Sequence, residues 1–223
     1  MRHLTLPSDS AAPFKILCLG AHADDIEIGC GGTILQLAGH YPNCVLYWVV
    51  FSANEIRAKE AEQSANLFAG STAFRRPQIK SFKDGFMPYF GDEVKAAFEE
   101  LKEVSPDLIF THHRHDAHQD HRLLSELTWN TFRDHLILEY EIPKYDGDMG
   151  QPSVFVPLAA ATCQKKVDSI MEAFQSQHDK RWFRPETFYS LMRLRGMECN
   201  SPSGYAEAFY GRKLRLEIGS NND

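Results

Sequence analysis

A short apolar run that ends in one histidine and two aspartates constrains this chain more than any other feature. The run Phe14–Gly20 is typical of a buried strand, and it leads directly into the sequence AHADD at residues 21–25. Gly29–Gly32, with the sequence GCGG, predicts a tight turn into a helix. Ligands of open α/β sheets bind at the carboxyl ends of strands, so we expect these three polar side chains to line a site there.

A second cluster of histidine and aspartate follows another apolar run about ninety residues later. The run LIFT predicts a buried strand, and residues 112–121 after it read HHRHDAHQDH. His118 and His121 are three residues apart, as are His22 and Asp25, so each pair would share a face of a helical turn. A catalytic zinc site has three protein ligands and leaves a position for water. The two motifs together therefore indicate a metal-dependent hydrolase.

The rest of the chain alternates between short apolar runs and amphipathic segments. This alternation predicts a single α/β domain over residues 1–223, Rossmann-like, with helices on both faces of a mostly parallel sheet. Residues 1–13 are expected to be an N-terminal extension and residues 218–223 a tail. Turn-forming residues predict surface loops at 70–91 and 143–152. The predicted strands are 14–19, 45–51, 108–111, 136–142 and 153–157, and the predicted helices are 32–39, 54–69, 92–104, 121–133 and 163–175.

Composition narrows the class of protein. The contents of hydrophobic residues (43%) and charged residues (24%) are usual for a globular protein, and 223 residues suffice for a sizeable core. The net charge of −6 argues against a nucleic-acid partner, and no apolar stretch is long enough to span a membrane. Met1–Pro13 contains no apolar signal segment and the five cysteines form no C-x-x-C pair, so we expect reduced thiols and a cytoplasmic location.

The two His/Asp motifs resemble those of the LmbE/PIG-L family of zinc-dependent N-deacetylases. The first motif of that family is A-H-P-D-D followed by a Gly-Gly turn, and residues 21–33 match it, with Ala23 in place of the proline. Residues 116–121 (DAHQDH) resemble the second motif, H-x-D-H with an earlier aspartate. The resemblance covers about residues 14–210. Weaker matches along the chain are an Arg-x-x-Glu signature at Arg57 and Glu60 and late landmarks at Ser176-Gln177 and residues 204–209.

The resemblance implies a ligand set and a base. Zinc would be bound by His22, Asp25 and His121, where it would activate a water molecule and polarise the amide carbonyl. Asp24 would take the proton of the attacking water as general base and deliver it to the leaving amine as general acid. Neighbouring side chains in a turn point in different directions, so Asp25 can face the metal while Asp24 faces the substrate.

The resemblance also gives expectations for the groups around the reacting carbonyl. His118 would stabilise the oxyanion of the tetrahedral intermediate. Asp120 is favoured over Asp116 as the carboxylate that orients the His118 imidazole and raises its pKa. Arg57 is a candidate for contact with the substrate, although an ion pair on the helix surface is the commoner role of such a residue.

The implied reaction is removal of the acetyl group from a small N-acetylated amino sugar, of the N-acetylglucosamine type and joined to an aglycone. Lys180–Pro185, with the sequence KRWFRP, combines groups that suit sugar rings and anions, but its aromatic residues would equally suit a core. The alternatives are a metal-dependent phosphoesterase, which would usually hold two metals, and a non-catalytic sugar-binding homologue. The family resemblance also allows a homo-oligomer. The sequence does not identify the aglycone.

Overall fold

The structure, a computed structural model, describes residues 3, 5–6, 12–41, 43–70, 73–74 and 76–215. The predicted tail and most of the predicted N-terminal extension lie outside these residues. The strands are β1 (Phe14–His22), β2 (Cys44–Ser52), β3 (Ala73–Phe74), β4 (Gln78–Ile79), β5 (Leu108–His112), β6 (Leu136–Tyr140), β7 (Val154–Pro157) and β8 (Ala206–Tyr210). The α-helices are α1 (Asp25–His40), α2 (Glu55–Ala69), α3 (Gly91–Leu101), α4 (Gln119–Thr131), α5 (Ala160–Ala173) and α6 (Pro185–Glu198).

The strands form one sheet that is parallel in its centre. The order is β3-β2-β1-β5-β6-β8-β7, and β4 pairs with β2 beyond β3. The strands from β1 to β6 are parallel, with β1 paired to both β2 and β5. Only the last two strands of the chain are antiparallel, β8 to β6 and β7 to β8. The predicted α/β fold with a mostly parallel sheet is therefore confirmed.

The core lies on both faces of the sheet, because alternate side chains of each strand point to opposite faces. Ile16 and Cys18 of β1 face one cluster, which α1, α2, α5 and α6 cover. Leu17 and Leu19 of the same strand face a second cluster, which α3 and α4 cover. All four side chains are fully buried. None of the helices in the described part of the chain is long and apolar enough to cross a membrane.

The predicted turn at Gly29–Gly32 is wrong, because these residues lie inside α1, which begins at Asp25 rather than near residue 32. The glycines make close packing possible. A Cβ atom on Gly29 would lie 2.2 Å from the ring of Tyr140, and one on Gly31 would lie 2.5 Å from the ring of Phe68. Glycine is unfavourable in a helix interior, so tertiary packing decides this segment against local propensity.

Replacement of Gly29 by alanine is expected to destabilise the protein by about 1–3 kcal/mol, because the buried Tyr140 ring must move to admit the new methyl group. Gly39 of the same helix is the matched control, since a Cβ atom there meets nothing within 4 Å. Gly39→Ala should be neutral or stabilising by up to about 1 kcal/mol. Denaturant unfolding of both variants checks the prediction. Equal stabilities would show that the ring of Tyr140 adapts without cost.

Several elements differ from their predicted bounds. β1 runs three residues beyond the predicted strand and ends at His22 itself. The segment 70–91 contains β3, β4 and a 3₁₀ turn at Met87–Phe90 as well as loop, whereas 143–152 is a loop as predicted. Neither α6 nor β8 was predicted. α6 begins with Pro185, and proline is well placed in the first turn of a helix.

A buried ion pair joins α1 to the end of the chain. Glu207 of β8 accepts hydrogen bonds of 2.7 Å from the backbone N–H groups of both Gly32 and Thr33. Lys166 of α5 donates to Glu207 at 2.6 Å and to the carbonyl of Ile28, also at 2.6 Å. In an uninterrupted helix the Ile28 carbonyl and the Gly32 N–H would pair with each other. The ion pair therefore anchors the glycine-rich segment of α1 to α5 and β8.

Candidate metal centre and active site

The two His/Asp motifs meet at the carboxyl edge of the sheet because β1 and β5 are parallel neighbours. His22 is the last residue of β1, and Asp25 is the first residue of α1. His121 lies in the first turn of α4, which follows β5 after a short loop. Each motif is thus placed by the end of a central strand and the start of a helix, and the sequence predicted this edge correctly.

The three predicted ligand atoms form a nearly equilateral triangle. His22 Nδ1 lies 3.1 Å from His121 Nε2 and 3.4 Å from Asp25 Oδ2, and the latter two atoms are 3.5 Å apart. Ligands at about 2.0–2.1 Å from a tetrahedral zinc ion lie about 3.3–3.4 Å from each other. The donor set, two neutral imidazoles and one carboxylate, is also one that zinc prefers. These residues therefore fit a tetrahedral divalent ion.

In each of the two histidines, the ring nitrogen outside the triangle contacts a carboxylate. Asp116 Oδ2 lies 3.0 Å from His121 Nδ1, and Asp120 Oδ2 lies 3.3 Å from His22 Nε2. Such partners fix the tautomer and direction of metal-binding imidazoles. Asp120 was expected to orient His118 instead. Its carboxylate is placed differently, because it also accepts from the backbone N–H groups of Gly85 and Met87.

The charges around these side chains favour a cation at the centre of the triangle. Burial alone would lower the pKa of His22, but the carboxylates of Asp120, Asp25 and Asp84 raise it well above its usual value. Burial would raise the pKa of Asp25, yet His121 and His112 lower it well below the usual value. The site thus holds an ionised carboxylate and attracts positive charge, which a proton or a metal ion can supply.

Asp24 points away from the triangle, into a different set of contacts. Its Oδ2 atom lies 2.9 Å from Nη2 of Arg57, whose Nη1 lies 2.9 Å from Oε2 of Glu60. Ser176, in the 3₁₀ turn Gln175–Gln177, donates to Glu60 from its N–H and from its hydroxyl group, each at 2.8 Å. Burial raises the pKa of Asp24 and the charge of Arg57 opposes that rise. The two adjacent aspartates therefore differ in environment, as the sequence predicted.

His118 is the N-cap of α4, and its Nδ1 atom accepts from the backbone N–H of Asp120 at 3.3 Å. The expectation that its pKa is raised is wrong. Burial and then the neighbouring rings of His121 and His22 lower the pKa of His118. A ring whose Nδ1 accepts a hydrogen bond carries its proton on Nε2 when neutral, so His118 is a neutral N–H donor at this edge.

Three further sets of described side chains around the triangle have ligand atoms within 4.8 Å of one another. The first combines His118 with His22 and His121, the second combines His22 and His118 with Asp84 and Asp120, and the third combines His112 with Asp25 and His121. His112 Nε2 already accepts from the backbone N–H of Ala21 at 2.9 Å, which leaves it poorly placed as a ligand. The metal content of single variants at His118 and at His112 would distinguish these sets from the triangle.

Two charged residues at the site were not found from the sequence. Asp84 Oδ1 lies 3.1 Å from His22 Nε2, and Lys144 lies 3.0 Å from Asp116 and 2.5 Å from Asp148. Both lie in segments that the sequence marked only as surface loops. Their composition signals exposure, and nothing local indicates that the chain brings them back to the strand ends.

A cavity of about 850 Å³ opens over His22, Asp25 and His121. Its wall includes Arg57 and two residues of the segment Lys180–Pro185, namely Lys180 and Trp182. The composition of that segment suited either a ligand site or a core. Phe183 of the same segment is fully buried in the core, and Arg184 donates to backbone carbonyls. The segment therefore contributes both to the wall of the cavity and to the core.

Comparison with known proteins gives both family and fold. The family model described as PIG-L, GlcNAc-PI de-N-acetylase, matches residues 17–132. The uncharacterized deacetylase YaiS of Escherichia coli is 28% identical over 136 residues, which cover 57% of this chain and 74% of YaiS. The matched region contains both His/Asp motifs and the Arg-x-x-Glu signature.

Solved structures share the fold at low sequence identity. N,N'-diacetylchitobiose deacetylase from Pyrococcus horikoshii superposes with a TM-score of 0.68 at 21% identity, over 88% of this chain and 82% of that one. GalB, a 4-carboxy-2-hydroxymuconate hydratase from Pseudomonas putida, superposes with a TM-score of 0.70 at 16% identity, over 92% and 99%. One fold thus carries two reactions, and the chemistry must be argued from the site.

Proposed function

The chain belongs to the PIG-L family of deacetylases, hydrolases of amide bonds, and from this premise we propose that it removes acetate from an N-acetylglucosamine-type conjugate with the help of zinc. One observation carries the proposal. A triangle of donor atoms with the spacing of a tetrahedral zinc site lies beside a buried carboxylate, Asp24, that takes no part in it. A metal that activates water and a carboxylate that moves its proton are together able to hydrolyse an unactivated amide.

His22, Asp25 and His121 would hold the ion. When bound, zinc would supply a Lewis acid for the amide carbonyl and for a water molecule. The protein contributes the arrangement around it. Asp116 and Asp120 fix the two imidazoles, and the parallel strands β1 and β5 fix the backbone from which the ligands extend.

Asp24 would transfer the proton. Its carboxylate takes the proton of the attacking water and later gives it to the nitrogen of the leaving amine, so one group serves as base and then as acid. Burial raises the pKa of Asp24, which makes its carboxylate a better proton acceptor, and the charge of Arg57 opposes that rise. Arg57 fixes its direction with a contact of 2.9 Å.

His118 would donate a hydrogen bond to the oxyanion of the tetrahedral intermediate. The Nδ1 atom of His118 makes the N-cap hydrogen bond, so the Nε2–H of the neutral ring is not used by the helix. His118 also lines the cavity. A neutral donor needs no protonation before the reaction, so His118 should not set the pH range of activity.

We expect His118→Ala to lower kcat by about 10²–10³-fold, the range for loss of one oxyanion donor, with zinc content unchanged. His118→Gln, which keeps an N–H donor, should recover part of the loss. Steady-state kinetics and elemental analysis of both variants check this prediction. Loss of zinc from His118→Ala would instead make His118 a metal ligand.

A screen of N-acetylglucosamine conjugates tests the proposed function, with mass spectrometry to detect loss of an acetyl group. Family membership favours deacetylation over the alternative of a phosphoesterase, and release of phosphate from phosphomonoesters is measured in parallel. The expected result is loss of acetyl from at least one conjugate, and a loss about 10²-fold or more slower with Asp24→Asn at the same protein concentration. Phosphate release without loss of acetyl would overturn the proposal.

A further inference from the structure

We propose that Lys144 is a positioning residue of the metal centre, and that it acts on His121 through the carboxylate of Asp116. Lys144 belongs to the loop 143–152, which lies between β6 and β7 and which the sequence marked only as a surface loop. The inference rests on the proposed function, because it concerns the affinity of the same centre for zinc. It adds to that function a side chain that reaches the ligand set through one intermediate residue.

Asp116 is the residue through which Lys144 would act, and it is only 3% exposed. Its Oδ2 atom lies 3.0 Å from Nδ1 of His121 and also 3.0 Å from Nζ of Lys144. Its Oδ1 atom accepts from the backbone N–H of His118 at 2.8 Å. The direction of this buried carboxylate therefore depends on Lys144 as well as on the segment that carries the histidines.

The loop makes a second contact with the same segment through Asp148, four residues after Lys144. Oδ2 of Asp148 accepts from the backbone N–H of Ala117 at 2.6 Å and lies 2.5 Å from Nζ of Lys144. A cation and an anion of one loop thus bind two successive residues, Asp116 and Ala117. The three charged side chains are at most 13% exposed, so water competes weakly for these contacts.

The loop is itself fixed at its base by Arg195, a buried residue of α6. Arg195 pairs with Glu141 at 2.7 and 2.9 Å and also donates to the carbonyl of Gly150 at 3.0 Å. Tyr210 donates to the same glutamate at 3.0 Å, and a Cβ atom on Gly150 would collide with its hydroxyl group. Both ends of the loop are therefore anchored, so its two charged side chains extend from a fixed backbone.

A fixed Asp116 carboxylate in turn fixes the tautomer and the direction of the His121 ring. With Nε2 of His121 in the ligand triangle, Nδ1 carries the proton and donates to Asp116. Without the ammonium group of Lys144, the carboxylate would lose one of its three partners and would be free to turn. The imidazole would then be held less firmly in line with the ion, and zinc would bind less tightly.

Direct contact with the substrate is the competing role, because Lys144 also lines the cavity. Its ammonium group already lies near Asp116, Asp148 and the carbonyl of Ile142, the last at 3.4 Å. An ammonium group has three N–H donors, so these three acceptors are enough to use them all. This favours the positioning role, and measurement of zinc binding without substrate separates the two roles.

The experiment measures the affinity for zinc in the absence of substrate, by competition with a chromophoric chelator. Lys144→Met removes the charge, and Lys144→Arg keeps a cation. Lys95→Met is the matched control, because Lys95 also pairs with an acidic residue four positions later, Glu99, but lies on α3 and outside the cavity lining. The visible spectrum of the cobalt(II) form of each variant reports the geometry of the ligands. Thermal unfolding of the metal-free variants shows whether they are folded.

We expect Lys144→Met to bind zinc about 10-fold more weakly, at the lower end of the range for loss of a group that orients a metal-binding histidine, and to change the cobalt spectrum. Lys144→Arg should keep most of the affinity, and Lys95→Met should match the unmodified protein. The effect should depend on Asp116. In an Asp116→Asn background, which is itself weaker in zinc binding, Lys144→Met should change the affinity by less than about 2-fold.

Unchanged zinc affinity and an unchanged cobalt spectrum in Lys144→Met would overturn the inference. An equal loss of affinity in both backgrounds would also overturn it, because Lys144 would then act by a route other than Asp116. Should Lys144→Met fail to fold, Asp148→Ala takes its place, since it removes the side chain that holds Lys144 and Ala117. Normal zinc affinity in that variant would overturn the inference.

Turnover of N-acetylglucosamine conjugates at saturating zinc separates this inference from the proposed function. If Lys144→Met binds zinc more weakly but the unmodified protein deacetylates none of the conjugates, the proposed function fails and the positioning role stands. If the unmodified protein deacetylates a conjugate and Lys144→Met binds zinc normally, the function stands and the positioning role fails.

Discussion

Asp24→Asn is expected to lower kcat by about 10²–10⁴-fold while the protein keeps its zinc. Asparagine has nearly the same shape as aspartate and can still accept a hydrogen bond from Arg57, which lies 2.9 Å from the native carboxylate. It cannot accept a proton from water at any useful pH. Because the Asp24 carboxylate points away from the three ligand atoms, the variant should lose proton transfer and little else. Steady-state kinetics with elemental analysis measures both quantities.

Asp168→Asn is the control for this substitution, since Asp168 is exposed on α5, where it accepts a hydrogen bond from Gln164. It should match the unmodified protein in kcat and in metal content. If Asp24→Asn loses zinc together with activity, Asp24 is a ligand and the roles of the two adjacent aspartates are reversed. If it retains normal kcat, another group transfers the proton.

The second large expected effect is loss of the metal ion when two of its ligands are removed. The unmodified protein should hold one zinc ion per chain, and the double variant His22→Ala/His121→Ala should hold none and show no deacetylation. Removal of two of the three close donor atoms leaves Asp25 alone, too few ligands to compete with water for the ion. Elemental analysis of protein purified without chelators gives the ratio of zinc to chain.

The control here is His40→Ala, which changes an exposed histidine at the opposite end of α1 from Asp25. It should keep one zinc ion per chain. Far-UV circular dichroism of the double variant shows whether it is folded when the metal is measured. A folded double variant with stoichiometric zinc would place the metal elsewhere, and His112→Ala would then test the set that includes His112.

The sequence predicted that the two His/Asp motifs meet at one edge of the sheet because the relevant signals are local. His22 and Asp25 directly follow a strand, and the ends of neighbouring parallel strands must lie together. Asp120 was assigned to the wrong imidazole because its partners, the N–H groups of Gly85 and Met87, come from a loop whose path depends on the whole fold. No pattern in residues 70–91 specifies that path.

The glycine-rich segment Gly29–Gly32 could not be predicted correctly, because local residue types favour a structure that the fold does not adopt. Glycines in sequence favour a turn, and only the rings that pack against α1 reveal why Gly29 and Gly31 belong in a helix. The positions of Lys180 and Trp182 could not be predicted from local sequence either. Their residue types suited either a cavity or a core, and the structure was needed to separate Trp182 from the fully buried Phe183 that follows it.

Glu207 ties α1 to β8. The carboxylate that accepts from the N–H of Gly32 in this helix lies 175 residues further along the chain, beyond the 17–132 region that the family model matches. During synthesis, β8 leaves the ribosome after the other strands that the structure describes, so α1 lacks this ion pair until β8 has emerged. A chain cut short of β8 would therefore lose a buried contact that anchors the helix carrying Asp25.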